Sequence, residues 1–326
     1  MFQELKCKVC GRIGKKGLVF LRGAAMLTVC SLLMRTVGVG FNVYITGVLG
    51  AGGVGLFSLI TSAYGFFSTF ALSGVNLAAS KLCAEGIGHE CADEVRGVMK
   101  RCLAYSLCFG GCATLLMLAL SYPIGVCLIG DTGSVRSLRI LAPSLLPLSL
   151  SSGIYGYLHA VRRVGKSAVL QIGEQLARIL FTVLLPSGAP EACALVSLGI
   201  TFSELIAFSV GIIIFYRDIT QHLPPQGIRL PGLTRRMLSI SLPMALSSYM
   251  RSGLLTLEHM LIPSGLRRFG SGSEGALEQY GILHGMAFPV ILYPQVLLAS
   301  VSGLLVPEVS EEAARGNDGR IERIAH

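Results

Sequence analysis

The chain has 326 residues, of which 52% are hydrophobic and only 14% are charged, and its mean hydropathy is +0.67. Soluble domains carry about 25% charged residues, so the composition excludes a disordered chain, a nucleic-acid-binding domain and an ordinary cytosolic enzyme. It predicts an integral membrane protein, and the net charge of +9 then fits basic loops that face an anionic leaflet.

Eight apolar segments are long enough to cross a bilayer, since a transmembrane helix needs about 20 mainly apolar residues. Stretches rich in Gly, Pro and Ser separate several of them. Because a backbone in hydrocarbon must satisfy its own hydrogen bonds, we expect all eight to be helices in an all-α membrane protein. In chain order they are 23–49, 54–79, 102–123, 138–158, 167–186, 192–216, 238–262 and 278–306.

Lys and Arg residues are distributed unevenly over the connections between these segments. Twenty of the 27 basic residues lie in the N-terminal stretch, in the second-to-third, fourth-to-fifth and sixth-to-seventh connections, and in the C-terminal tail. The opposite side has four, which are Arg136, Arg139, Arg267 and Arg268. By the positive-inside rule the first side is cytoplasmic, and both termini are expected there.

The seventh and eighth segments resemble the first and second. Met34-Arg35-Thr36 recurs as Met250-Arg251-Ser252, and at the same offset Asn42 aligns with Glu258. Two further weak matches follow in the same order. Six segments precede the repeat, an even number, so both copies begin at the same membrane face, as in parallel repeats related by an axis along the membrane normal.

The repeat predicts a division into two lobes that enclose a substrate cavity. We expect a basic cytoplasmic N-terminus over 1–22, a complete six-helix lobe over 23–216, a cytoplasmic linker over 217–237 and the start of a second lobe over 238–326. This second lobe would contain two helices and be truncated where its third should begin. The alternative is a compact eight-helix protein without lobes.

Two arginines lie deep within apolar segments. A charge near the bilayer centre costs roughly 2.5–3.5 kcal/mol on insertion scales, so each indicates a cavity or a partner. Arg35 and its counterpart Arg251 would together form a fork-shaped site for phosphate or pyrophosphate at the lobe interface. Alternatively, each caps backbone carbonyls or pairs with a carboxylate, for which Glu258, two turns after Arg251, is a candidate.

Other ionisable residues within the segments have more than one interpretation. Glu174 and Arg178 are spaced i, i+4, which favours a structural ion pair on one helix face. Either Glu204 or Glu258 is a candidate carrier of a coupling proton, on the ground of burial alone. His259 points about 100° away from the adjacent Glu258, so we do not expect the two to act together. We expect His284 to be a hydrogen-bonded core residue rather than a ligand.

Motifs of enzymes and metal sites are missing or incomplete. Cys7-x-x-Cys10 has the spacing of half a zinc site, but no second pair follows and structural zinc uses four ligands. His89-Glu90 lacks the second histidine of a zinc-protease helix, and the glycine-rich stretch 50–55 lacks the Lys-Ser/Thr that holds phosphate. We therefore expect no catalytic residue, no metal and no cofactor.

Several motifs resemble the polysaccharide-transporter branch of the multidrug/oligosaccharidyl-lipid/polysaccharide (MOP) exporter superfamily, in particular its stage V sporulation protein B group. Residues 34–38 and 50–57 are similar to the opening of that branch, and 79–85 to its motif after the second helix. The pattern Gln-x-x-Glu-Gln-x-x-Arg over 171–178 resembles its fifth-helix signature, and 280–289 resembles its eighth-helix signature.

The resemblance implies a two-lobed MATE-like transporter in the bacterial cell membrane. Its implied activity is the flipping of an undecaprenyl-pyrophosphate-linked saccharide, a peptidoglycan or polysaccharide precursor for the spore cortex, with a coupling cation as an additional partner. Arg35 matches the first-helix arginine of the family, and we expect Arg251, Asn42 and Glu258 to complete the substrate site. The alternatives are a cation-coupled multidrug exporter of the same superfamily, and a non-transporting scaffold or inactive fragment.

Overall fold

A computed structural model describes residues 15–88, 92–161, 163–184, 192–222, 232–268 and 272–291. Over these residues the chain is almost entirely helical and has no strand, which confirms the predicted all-α fold. The helices are α1 Lys15–Leu72, α2 Val75–Gly88, α3 Ala92–Pro123, α4 Thr132–Leu141, α5 Leu145–Ala160, α6 Val164–Leu184, α7 Ala192–His222, α8 Leu233–Arg268, α9 Gly272–Tyr280 and α10 Phe288–Ile291. A π-helical segment over Ile124–Ile129 follows α3, and another over Gly281–Ala287 joins α9 to α10.

The first two predicted segments are continuous in α1. They are separated by a kink at Gly50, where φ is +68°. A residue with a Cβ rarely adopts this left-handed conformation, so glycine permits the change of direction. A second break, at Ser73 and Gly74, separates α1 from α2 within the second predicted segment.

Four helical stretches of the described residues are long and apolar enough to cross a membrane, judged by length and composition. They are Leu32–Ile87, Ala92–Ile129, Gly165–Leu184 and Ala192–Gln221. The first, with 56 residues, is long enough for two crossings. The other predicted segments are also helical where described, but the fourth is divided at Ala142–Ser144 and the structure describes the eighth only to Ile291. The chain is a multi-pass membrane protein.

The chain forms two compact units. One comprises Met1–Gly40 and Pro289–His326, and the other comprises Phe41–Phe288. The predicted lobe boundaries at 216 and 238 stay a prediction, as does the orientation of the termini.

The larger unit contains two main apolar clusters. One joins α2, α3, α5, α7 and the start of α8, and is centred on buried side chains such as Leu82, Met99 and Tyr157. The other joins the second half of α1 to α3, α4 and α5 and includes Tyr280 from α9. These clusters fix the faces on which the charged side chains of α6, α7 and α8 lie.

Candidate functional site in the helix bundle

Helices α6 and α7 bring three charged side chains together. Arg178 donates through Nη2 to Glu174 Oε1 at 2.8 Å and to Glu204 Oε1 at 3.2 Å. The predicted i, i+4 pair is therefore present, and a second carboxylate joins it from the neighbouring helix. The Glu204 side chain is only 5% exposed, and Tyr155 donates a longer hydrogen bond of 3.4 Å to Glu174 Oε2. We call Glu174, Arg178 and Glu204 the charged triad.

The charged triad lies near the middle of both helices. Glu174 and Arg178 are 10 and 14 residues from the first residue of α6, and Glu204 is 12 residues from the first residue of α7. At 1.5 Å per residue these positions are about 15–21 Å from the first residues of the two helices. Two carboxylates face one guanidinium here, so a proton on one carboxylate or a monovalent cation beside them would balance the charge.

Arg251 and Glu258 lie on an exposed face of α8. On the opposite face, Gly253 is close to α1, and Thr256 donates a hydrogen bond to the backbone oxygen of Ser62 at 3.3 Å. Because Arg251 and Glu258 are seven residues apart, they share one face of the helix. Both are exposed, and within the described part of the chain neither forms an ion pair. The alternative in which Glu258 neutralises Arg251 is therefore not the observed arrangement.

The other two predicted substrate residues lie on α1. Arg35 is exposed and belongs to the smaller unit, whereas Asn42 is half-buried and belongs to the larger one. Arg35 and Arg251 are thus in different units, and their convergence on one anion stays a prediction. Cys7, Cys10 and the pair His89-Glu90 lie outside the described residues.

The sequence analysis did not predict a buried carboxylate near the end of α7. The Asp218 side chain is fully buried, and its Oδ1 accepts hydrogen bonds from Arg163 and from Lys166 Nζ, the latter at 2.6 Å. Its Oδ2 accepts from the Tyr157 hydroxyl at 3.0 Å. These contacts fasten the connection between α5 and α6 to α7. The basic residues in that connection could have indicated this contact, because clustered cations need a nearby carboxylate.

A second ionic contact fastens the start of α8 to the α2–α3 region. Arg236, predicted to lie in a linker, donates to Glu85 Oε2 at 2.8 Å and to Glu94 Oε1 at 3.3 Å. Nearby, Arg101 Nε donates to Thr234 Oγ1 at 3.1 Å. This end of α8 is therefore part of the packed bundle.

One expectation about α8 and the segment after it was wrong. The Nε2 atom of His284, predicted to be hydrogen-bonded, is buried without a partner among the described residues. Instead the His284 ring lies against the His259 ring, with centroids 4.3 Å apart. No sequence pattern predicts a contact between two histidines that are 25 positions apart.

A family model described as a polysaccharide biosynthesis protein matches residues 20–311. The chain belongs to this family. It is 26% identical over 302 residues to stage V sporulation protein B of Bacillus subtilis (strain 168), covering 90% of this chain and 58% of that protein. It is 21% identical over 309 residues to sporulation protein YkvU of the same organism, covering 90% of this chain and 66% of that protein. The chain spans less than two thirds of the length of both relatives.

Solved structures identify the fold. A MOP superfamily transporter from Pyrococcus furiosus superimposes with a TM-score of 0.70 at 13% identity, covering 93% of this chain and 67% of that one. The outward-facing conformation of a multidrug resistance MATE family transporter gives 0.68 at 12% identity, covering 93% and 68%. The fold is therefore MATE/MOP-like, as the motifs in the sequence predicted.

Proposed function

We propose that the protein acts in the transport of a lipid-linked saccharide across the bacterial cell membrane by alternating access. The observation that carries the proposal is the family match over nearly the whole chain, combined with a MOP-type fold. The head group is an undecaprenyl-linked pyrophosphate, and the saccharide is a peptidoglycan or polysaccharide precursor. The sporulation proteins among the relatives support a role in making the spore cortex.

Arg251 is suited to bind the anionic head group. Its guanidinium is exposed on α8 and forms no ion pair with the described residues, so its donors are available for bidentate contacts with phosphate oxygens. Arg35 supplies the second guanidinium in the proposal. Asn42 and Glu258, each seven residues further along, supply hydrogen-bonding groups for the saccharide.

The same helix offers an apolar surface for the lipid chain. Large side chains beside the Arg251 face are more than half exposed; they are Met250, Leu254, Leu257 and Leu261. An amphiphilic ligand with a charged head and a long hydrocarbon tail matches this combination. In the proposed orientation, the end of the bundle that holds Asp218 and Arg236 faces the cytoplasm, as do both termini.

The charged triad is the proposed site of cation coupling. Its excess carboxylate is buried in the middle of α6 and α7, where a change of protonation alters the local charge most strongly. The triad also supports a second candidate function, which is a cation-coupled multidrug exporter of the same fold. Drug susceptibility of cells that produce the wild type or Glu204→Gln separates the two, because only the exporter predicts Glu204-dependent resistance.

Flipping of a fluorescent undecaprenyl-pyrophosphate-linked saccharide in proteoliposomes tests the proposal. We expect Arg35→Ala and Arg251→Ala each to slow flipping at least about tenfold, which corresponds to about 1.4 kcal/mol. Arg217→Ala, which removes an exposed arginine of α7, is the matched control and should flip normally. Wild-type rates in both test variants would refute the role of the arginines. No flipping by the wild type would favour the scaffold alternative.

A further inference from the structure

Three polar rings meet between α8 and the helix that follows it. His259 Nδ1 and the Tyr280 hydroxyl are 2.6 Å apart, within a hydrogen bond. The ring centroid of His284 lies 4.3 Å from that of His259 and 4.9 Å from that of Tyr280. Tyr280 is fully buried, and Phe288 covers the other side of His284 with its centroid at 4.7 Å. None of these side chains has a part in the proposed transport site.

The backbone around His284 is unusual and tightly held. His284 lies within the seven-residue π-helical segment Gly281–Ala287. This conformation is rare in proteins, and where it does occur it is often found at functional sites. This segment is pressed against α1: a Cβ added at Gly281 would lie 2.1 Å from the backbone oxygen of Ala51, and one at Gly285 would lie 2.1 Å from Val54 Cγ1. Because Gly281 and Gly285 are packed against α1, the π-helical hydrogen bonding of the residues between them determines where the His284 ring lies.

The charges around the rings limit how many protons the pair can hold. Two imidazolium rings 4.3 Å apart repel each other strongly in a partly buried site, so protonation of one disfavours protonation of the other. Glu258 precedes His259 on α8, and its side chain is exposed. Glu278 on α9 is exposed, and from α1 the apolar side chains Leu59 and Ile60 pack in the same cluster as Tyr280.

The direction of the hydrogen bond between His259 and Tyr280 depends on the protonation state of His259. When His259 Nδ1 is unprotonated, it accepts the hydroxyl proton of Tyr280. When Nδ1 carries a proton, it donates to the Tyr280 oxygen, and the hydroxyl proton must turn elsewhere. The buried Nε2 of His284 has no partner among the described residues and is a second position for the proton.

We propose that His259 and His284 form a proton-binding site that holds a single proton and couples the π segment to α8. The proton comes from the aqueous phase and is returned to it, so binding adds one positive charge beside Glu258. When the proton is on Nδ1 of His259, the hydrogen bond between His259 and Tyr280 reverses direction. This inference rests on the contacts of the larger unit alone and does not require the proposed transport.

Nitrogen-15 NMR of histidine-labelled protein in lipid nanodiscs tests this site. The complete chain has six histidines, and single His→Gln variants assign their signals. Between about pH 5 and 8 we expect the wild-type pair to titrate in coupled steps. In His284→Gln the midpoint of His259 should rise by about one pH unit, because the neighbouring ring no longer competes for the proton. In His159→Gln, which removes a histidine bound to Ser167, the midpoint should stay unchanged.

Two results would overturn the site: an unchanged His259 midpoint in His284→Gln, or no titration of either ring in this pH range. Should His284→Gln fail to fold, Tyr280→Phe keeps the three rings and removes the hydroxyl. A changed Nδ1 signal of His259 is then expected, and an identical one refutes the coupling of the proton-binding site to Tyr280. Since the measurement uses the protein alone, it can succeed even where the flipping assay fails.

Discussion

Charged side chains within the helices have two different environments. In α6 and α7, Glu174, Arg178 and Glu204 contact one another and are mostly buried. In α8, Arg251 and Glu258 are exposed on the face opposite the contact with α1, and no described residue pairs with them. The first group has ion-pair partners within the protein, with one carboxylate in excess, whereas the charges of the second group have no ion-pair partner among the described residues.

This difference separates charges that have partners within the fold from charges that we propose bind a ligand. A buried charge that loses its partner destabilises the fold strongly, because its desolvation is no longer offset. Removal of an exposed charge changes the stability of the fold little, and it weakens the affinity for a ligand that contacts this charge. Loss of the triad's arginine should therefore reduce stability most, and loss of the exposed charges of α8 should reduce ligand binding most.

The largest loss of stability is expected from Arg178→Met. It leaves Glu174 and Glu204 side by side without a cation, so the free energy of unfolding should fall by about 3–5 kcal/mol. A thiol-reactive dye that labels the buried Cys83 and Cys102 on heating reports the change in Tm. Arg217→Met, an exposed arginine on α7, is the control, and an equal Tm in the two variants would contradict the structural role of the triad.

A smaller loss is expected where the π segment packs closely against α1. In Gly281→Ala the new Cβ meets the backbone oxygen of Ala51, and such overpacking costs about 1–3 kcal/mol. Gly65→Ala on α1 has open space around its Cβ and is the matched control. The same dye assay measures both, and an undiminished Tm in Gly281→Ala would show that the helices separate easily here.

Glu204→Gln should change function more than stability. The amide keeps the shape of the side chain but cannot exchange a proton. We therefore expect the pH dependence of flipping to weaken while the free energy of unfolding changes by about 1 kcal/mol or less. Rates measured in proteoliposomes between pH 6 and 8, with the exposed Glu278→Gln as control, decide this. An unaltered pH profile would exclude Glu204 as the coupling group.

The smallest effect on stability is expected on the exposed face of α8. Arg251→Ala and Glu258→Ala should each change the free energy of unfolding by no more than about 0.5 kcal/mol, since neither contacts a described charged partner. Thermal unfolding of both variants tests this. A loss comparable to that of Arg178→Met would remove the distinction between the two regions.

Features carried by local sequence were predictable, and those set by helix packing were not. Hydropathy predicted the helices, and the i, i+4 spacing predicted the contact between Glu174 and Arg178. The addition of Glu204 depends on which faces of α6 and α7 meet, and this is not encoded in either helix alone. The same reason explains why the contact between His259 and His284 was missed.

Burial of Asp218 was missed for a different reason. A charge at the end of an apolar segment is ordinarily solvated, and Asp218 follows the exposed Arg217. Its burial follows from the fold of the α5–α6 connection, which brings Arg163 and Lys166 over the end of α7. The repeat that links Arg35 with Arg251 is a property of the sequence alone and stays a prediction.

Ligand binding by the purified chain tests the central claim most directly. Titration with undecaprenyl pyrophosphate in nanodiscs, with undecaprenol as the neutral control, measures what the guanidinium groups contribute. Loss of one charge-assisted contact is worth about 1.5–3 kcal/mol, so Arg251→Ala should bind the pyrophosphate about 10- to 150-fold more weakly and the alcohol equally well. Equal affinity of wild type and variant for the pyrophosphate lipid would contradict the account.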